Sequence, residues 1–320
     1  MNPFYKLVVL GSKGLYLKFQ KKPLHINLEI SMACNAQCPF CNYWKEKPFE
    51  DTRDTLFHFL KRMNPVLITI SGGEPLLRKD LPAYISKIRK AVPHSYVSLI
   101  SNFSLVDMDK IKRLHQSGVS QFCVSLDYAH SFHEKVRNLP GVFSKMEELI
   151  PQISKKYFDR VTLNTIIMDS NVDELVPLAH LAKKWGAYIN YSSYYSGKNG
   201  NRKGMISENN RKKLEDALKE LKKLKRKLKN ISTGDYFFDQ ASSYFKGNKI
   251  SGCKAGLSWV QVTPDGQVKR CSEKKPLFNH EDYGLGKNVF QPTQCVECWM
   301  SCRAEIQAPM NVGRVRDLLS

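Results

Sequence analysis

The sequence predicts an α/β protein built on a mostly parallel sheet, followed by a small cysteine-rich segment. Three observations carry this. Strand-like and helix-like stretches alternate six times through the first 195 residues. The strands read as nearly continuous apolar, β-branched runs, the pattern of a buried parallel sheet. Nine cysteines fall in two groups, three within 34–41 and five within 253–302, with Cys123 alone in a strand-like run where it reads as a core thiol.

The elements follow in order. His25–Ile30 reads as a strand and Thr52–Met63 as a helix. Val66–Ile70 is an apolar strand, Leu81–Ala91 a helix and Tyr96–Ile100 a strand. Asp107–Gln116 is a helix closed by Gly118, and Gln121–Leu126 a strand. Phe143–Lys155 is a helix, Val161–Ile167 a strand, Val172–Trp185 a helix closed by Gly186, and Tyr188–Tyr195 a sixth strand. Alternation puts Tyr191 and Tyr195 on one face of that strand and Tyr194 on the other, with packing as the plain reading of all three. Six such units suit either a doubly wound sheet or an incomplete β/α barrel, and both place their sites at the C-terminal strand ends. Farther on, Trp259–Val262 and Gln267–Arg270 flank Thr263-Pro264-Asp265-Gly266, a tight-turn signal that predicts a hairpin.

Composition excludes several classes. The chain has 320 residues, about two domains' worth. Hydrophobic residues make up 42%, which argues against disorder. No run approaches the roughly 20 apolar residues of a membrane span. The stretch from Met1 to Lys22 lacks the small-residue cleavage site of a secretory signal, so the expected location is cytoplasmic. Cysteines in such a chain point to metal rather than to disulfides. The net charge of +20 is partly concentrated in Arg211–Asn230, where ten Lys or Arg stand against three acids. Leu214, Leu218, Leu221 and Leu228 recur there at helical spacing, giving an amphipathic helix with a basic outer face. That face is either simply solvated or a dock for an anionic substrate, a leader peptide, nucleic acid or the lipid headgroups of a peripheral membrane contact. No aromatic residue interleaves the lysines, so there is no stacking platform for single strands, and nucleic acid is the less expected partner.

The chemistry concentrates in Cys34-Asn35-Ala36-Gln37-Cys38-Pro39-Phe40-Cys41. Three thiolates can converge on one metal centre. They are one short of a closed tetrahedral zinc site or of a fully thiolate-ligated [4Fe–4S] cluster. His25 and His58 stand at no recognised zinc spacing. An open coordination position is where a reactant can bind.

Cys34, Cys38, Phe40 and Cys41 fill Cys-x3-Cys-x-aromatic-Cys after a first strand, which resembles the signature of radical S-adenosylmethionine (radical SAM) enzymes. The resemblance implies a partial (β/α)6 TIM-type barrel with a small cysteine-rich C-terminal α+β domain. It also implies a [4Fe–4S] cluster held by Cys34, Cys38 and Cys41, with S-adenosylmethionine on the fourth iron and reductive release of a 5′-deoxyadenosyl radical. Gly72-Gly73-Glu74-Pro75 after the second strand matches the family's Gly-Gly-Glu-Pro motif. There the glycines would admit close backbone approach, and Glu74 would accept a hydrogen bond from the methionyl ammonium. Ser101 and Asn102 resemble the pair that faces the ribose or methionyl end. Ser125, Asp127, His133 and Arg137 resemble a Ser-x-Asp…His…Arg pattern in which Ser and Arg reach the cofactor's carboxylate and ribose. Asn164, polar inside the fifth strand, either points into the barrel or bonds a neighbouring backbone group.

Cys253, Cys271, Cys295, Cys298 and Cys302 resemble a SPASM/twitch extension in its single-cluster form, with one auxiliary [4Fe–4S] cluster. The expected ligands are Cys253, Cys271, Cys295 and Cys298, with Cys302 able to replace one of the last pair. A structural zinc ribbon would use the same residues. The expected organisation is an N-terminal extension (1–23), the core (24–196), a basic helical connector (197–249) and the auxiliary domain (250–320). The resemblance implies hydrogen abstraction from a small-molecule, sugar, lipid-headgroup or peptide substrate, and a one-electron reductant such as ferredoxin or flavodoxin. Only 33 residues precede Cys34, too few for a winged-helix peptide-recognition domain, which tilts the expectation from leader peptides toward a small, anionic substrate. Two other classes stand beside it: a non-catalytic iron–sulfur electron carrier, and a basic zinc-containing nucleic-acid-binding protein.

Overall fold

The computed structural model describes residues 3–50, 53–154, 156–283 and 289–309. Helix α1 (Pro3–Phe19) leads into β1 (His25–Glu29), α2 (Thr55–Met63), β2 (Leu67–Ser71), α3 (Leu81–Ala91), β3 (Tyr96–Ser101) and α4 (Met108–Gln116). Then come β4 (Gln121–Ser125), α5 (Phe132–Arg137), α6 (Val142–Ile153), β5 (Arg160–Ile167), α7 (Leu175–Lys184) and β6 (Tyr188–Ser193). The rest comprises α8 (Glu208–Leu228), α9 (Asp235–Phe245), β7 (Trp259–Val262), β8 (Gln267–Lys269), β9 (Pro276–Asn279) and α10 (Ser301–Gln307). Local signals explain several boundaries. Asp107 caps α4 by accepting from the Lys110 amide at 2.7 Å, and Gly186 turns the chain after α7 with φ of 69°.

The sheet runs β6–β5–β4–β3–β2–β1–β7–β8–β9. Strands β1 to β6 stand in chain order, every neighbouring pair parallel. A doubly wound sheet reverses its order at a switch point. Unbroken order with right-handed crossovers keeps the helices on one face, so the sheet curls into an open, partial barrel.

The two faces differ sharply in chemistry. Ile26, Leu28, Ile68, Ile70, Leu99 and Leu163 face the helices and are fully buried. The concave face takes the alternate positions. Asn27, Thr69 and Ser98 stand level on β1, β2 and β3, and Ser125, Asn164 and Asn190 on β4, β5 and β6. The expected two-sided apolar strands are therefore only half right. A closed, filled barrel needs apolar side chains within; this one is open and lines its hollow with hydrogen-bonding groups.

The cysteine-rich segment extends the barrel wall without closing it. The predicted hairpin forms as β7 and β8, and β7 pairs in parallel with β1. At the opposite edge, the Ser301 amide donates to Ser192 Oγ at 3.1 Å and Asn190 Nδ2 to Ser301 Oγ at 3.3 Å. The segment thus reaches both edges of the open barrel. Strand β9 and helices α1, α5, α9 and α10 were not foreseen. Tyr191 and Tyr195 do not share a strand face, because β6 ends at Ser193. Tyr191 is buried on the helix side and donates to Leu175 O at 2.6 Å. Among the described residues no helix is long and apolar enough to cross a membrane.

Candidate active site at the strand C-terminal ends

The loop after β1 carries Cys34, Cys38 and Cys41 and is clamped from three sides. The end of β2 presses against it: the Gly73 amide donates to Ser31 O at 2.8 Å and the Glu74 amide to Ala33 O at 2.7 Å. A Cβ on Gly72 would lie 2.3 Å from Ser31 O, and one on Gly73 2.0 Å from Ala33 O. Only glycine permits this approach. The glycines thus serve first to seat the chain's own cysteine loop, a role the sequence does not disclose.

The end of β3 supplies the second clamp. Glu74 is buried and accepts from the Leu76 amide at 3.0 Å, Ser101 Oγ at 2.8 Å and the Asn102 amide at 2.7 Å. Burial raises its carboxyl above the usual range, against the pull of those three donors and of Arg137. Pro75, also buried, opens the short turn that Glu74 caps. Asn102 Nδ2 donates to Asn35 Oδ1 at 2.9 Å, and Asn35 Nδ2 to Ser104 Oγ at 2.8 Å. Ser101 and Asn102 therefore tie Glu74 to the cysteine loop.

Helix α5 is the third clamp. Arg137, buried, pairs with buried Asp127 at 2.7 Å, and its Nη1 lies 3.7 Å from Cys38 Sγ. Its guanidinium stands 5.3 Å from the centre of the Phe40 ring, and its carbonyl accepts from the Gln37 amide at 2.9 Å. Asp127 also accepts from the Ile166 amide at 3.0 Å. His133 accepts through Nδ1 from the Asp127 amide at 3.2 Å, and burial pushes its pKa down to about 3, so it stays neutral. Ser125 and Asn164 lie side by side, level on the concave face. Asn164 and Ser98 both reach Cys123, whose buried thiol is pushed up to about 11.

The donor set fits an iron–sulfur cluster. Burial pushes the Cys34 thiol up to about 11, with Glu74, Cys38 and Cys41 adding repulsion. Cys38 is raised by burial and by Asp127 and Cys41, while Arg137 pulls it back. Three thiolates so placed need a cation between them. Three cysteine sulfurs without a fourth thiolate are the donor set of a cluster that leaves one iron open, and cysteine thiolates are what such clusters take.

Cys253, Cys271, Cys295 and Cys302 of the second group pack with Ala255, Trp259 and Ile306. Burial pushes Cys271 up to about 11, with repulsion from Cys298 and Cys253, and Cys302 up to about 12, with repulsion from Cys298, Cys253 and Cys271. Cys295 Sγ lies 3.6 Å from Glu297, which in turn pairs with Lys274 at 3.1 Å and accepts from Tyr195 at 3.2 Å. Buried Arg303 donates to Cys298 O at 2.5 Å and also to Ile250 O. All five cysteines gather in one place.

Sequence reasoning missed the polar floor between the two groups. Glu29, buried at the end of β1, accepts from the Tyr43 hydroxyl and is hydrogen-bonded to Gln261 of β7. Ser71 Oγ donates to Asn27 Oδ1 at 2.9 Å, and Asn27 Nδ2 to Gln261 Oε1 at 3.4 Å. The signal was present: His25, Asn27 and Glu29 recur at every second position of an otherwise apolar run. A roof crosses the site, where Asn199 and Asn201 donate to Pro39 O at 2.9 and 3.2 Å.

Residues 28–182 match the Radical SAM superfamily. The PqqA peptide cyclase of Granulibacter bethesdensis is 24% identical over 88% of this chain and 83% of its own. The GTP 3',8-cyclase of Clostridium perfringens is 26% identical over 83% of this chain and 85% of its own. Among solved structures, SuiB of Streptococcus suis bound to precursor peptide SuiA aligns with a TM-score of 0.66 at 13% identity, covering 91% of this chain and 72% of that one. At that identity the likeness to SuiB is one of fold.

Proposed function

The chain is a radical SAM enzyme, with its family region at residues 28–182, and from that premise we propose that it abstracts hydrogen from a polar substrate seated on the concave floor between its two cysteine groups. When bound, the cluster and S-adenosylmethionine supply one electron and a 5′-deoxyadenosyl hydrogen abstractor. The protein's part is to hold, orient and shield. Cys34, Cys38 and Cys41 would hold three corners of the cluster and leave the fourth to the cofactor's methionine end. Glu74 would receive the methionyl ammonium. A carboxylate offers about four acceptor sites, and three protein donors occupy Glu74, so capacity remains. Arg137, fixed by Asp127, keeps a positive charge beside Cys38.

Four of Cys253, Cys271, Cys295, Cys298 and Cys302 would hold the auxiliary [4Fe–4S] cluster, across the floor from the first. Asn27, Glu29, Asn190 and Gln261 stand on the concave face and would bind a substrate rich in donors and acceptors. A peptide and a nucleotide both meet that description, and the relatives named for each span most of both chains. The observation that carries the reading is the three-sided clamp on Cys34–Cys41 joined to Glu74. Anaerobic reconstitution with a one-electron reductant such as flavodoxin tests it. About eight irons per chain and release of 5′-deoxyadenosine support it. Iron-free protein, or no deoxyadenosine, overturns it.

A further inference from the structure

The end of the barrel opposite the site is cationic and carries an apolar projection. Helices of a β/α barrel return from the site end to the base, so their last turns collect there. Those turns expose Lys61 in α2, Lys90 in α3, Arg113 in α4, Lys184 in α7, and Arg226 and Lys227 in α8. Helix α8 belongs to this end because Lys183 Nζ donates to Leu228 O at 2.9 Å and the Ile189 amide to Asn230 O at 2.8 Å. Each cation favours its own helix dipole, but together they ring one face. Asp159, the acid before β5, lies in the field of Arg89.

Helix α1 crosses this ring. Lys13 Nζ donates to Ser95 Oγ at 3.2 Å, just before β3, and Leu17 is 2% exposed. In its last turns the helix also presents bare apolar side chains: Leu15 is 70% exposed, Tyr16 61% and Phe19 84%. Lys18 and Lys21 stand exposed beside them.

We propose that this base docks on an anionic lipid bilayer, with Leu15, Tyr16 and Phe19 entering the headgroup boundary and the cationic ring facing lipid phosphates. Apolar and aromatic side chains flanked by lysines are what an interfacial helix requires, and clustered Lys and Arg add attraction to anionic lipid. A second copy of the chain fits worse, because like rings would meet and repel. Nucleic acid would use the charge and leave the apolar projection in water. The chain's excess of 50 Lys and Arg over 30 Asp and Glu, unused by the site, acquires a partner. The proposal does not rest on the catalytic reading, and docking would turn the site end toward water.

The test is sedimentation of the full chain with vesicles of phosphatidylcholine containing phosphatidylglycerol, against pure phosphatidylcholine. The protein is expected to bind the anionic vesicles and to leave them as salt rises. Leu15→Glu with Phe19→Glu lowers the partition coefficient on the order of tenfold or more. Both positions are exposed, so thermal unfolding should match the parent. The milder Phe19→Ser lowers partition without adding charge. Failure to bind anionic vesicles overturns the proposal. So does binding that both variants retain, and so does a dimer, seen by light scattering, that the variants abolish.

Discussion

Glu29 offers a sharp test of the polar floor. Burial lifts its ionisation from 4.5 to about 7, against the attraction of Lys198 and Lys269 and the bond from Gln261, with Glu273 adding repulsion. A carboxyl that holds its proton more tightly in the folded chain stabilises the fold at low pH. That contribution is lost as pH rises from 4.5 through about 7. At about 1.4 kcal/mol per pH unit, the loss between pH 5 and pH 8 amounts to roughly 2.5 kcal/mol. Glu29→Gln keeps the shape, still accepts from Tyr43 and cannot ionise. The stability of the variant relative to the parent should therefore rise by roughly 2.5 kcal/mol over that range. Other groups titrate too, among them His25, pushed down to about 4 by burial, but they act equally on both proteins. Anaerobic urea unfolding of parent and variant at pH 5, 6.5 and 8 measures the difference. A gap that stays constant with pH would show that Glu29 is hydrated rather than buried, and would refute the floor as described.

Three further outcomes are expected. Gly73→Ala drives a Cβ into backbone atoms of Met32 and Ala33, so the cysteine loop must shift. The cost is about 2–4 kcal/mol from overpacking and a weakened Glu74–Ala33 bond, read as a lowered melting temperature with loss of iron from the first group. Asp127→Asn leaves Arg137 buried beside a neutral partner and should cost about 3–5 kcal/mol, measured by chemical denaturation; Asp127→Glu should recover part of it. Cys38→Ala should leave about four irons per chain and no deoxyadenosine, by iron assay and chromatography.

Much of the fold was legible because its elements announce themselves locally. Leu81–Ala91 is helical over the residues that periodicity picks out, and Thr263–Gly266 turns where Pro and Gly say it must. What stayed hidden is long-range. No local signal says that β7 will lie against β1, which stand more than two hundred residues apart, or that Ser301 will reach β6. The helix Asp235–Phe245 escaped although Phe237, Phe238, Ala241, Tyr244 and Phe245 recur at helical spacing; its aromatic residues are weak helix formers and masked the stripe. In the site, the cysteines, Glu74 and the Asp127–Arg137 pair were legible as residue types in a pattern. Their partners were not: that Gly73 seats the loop, or that Arg137 leans on Cys38, depends on distances only the folded chain sets.

The docking of β7 along β1 gives the chain's last stretch an early duty. Without it the strand that leads into the first cysteines would be an outer border with unpaired amides and carbonyls, open to pairing with other chains. A growing polypeptide meets that hazard until some 230 residues after β1 have left the ribosome. The loop of the first cysteines thus hangs from a strand whose outer edge is covered by the tail. Changes in the tail, far along the gene, would be felt at the strand from which the chemistry begins.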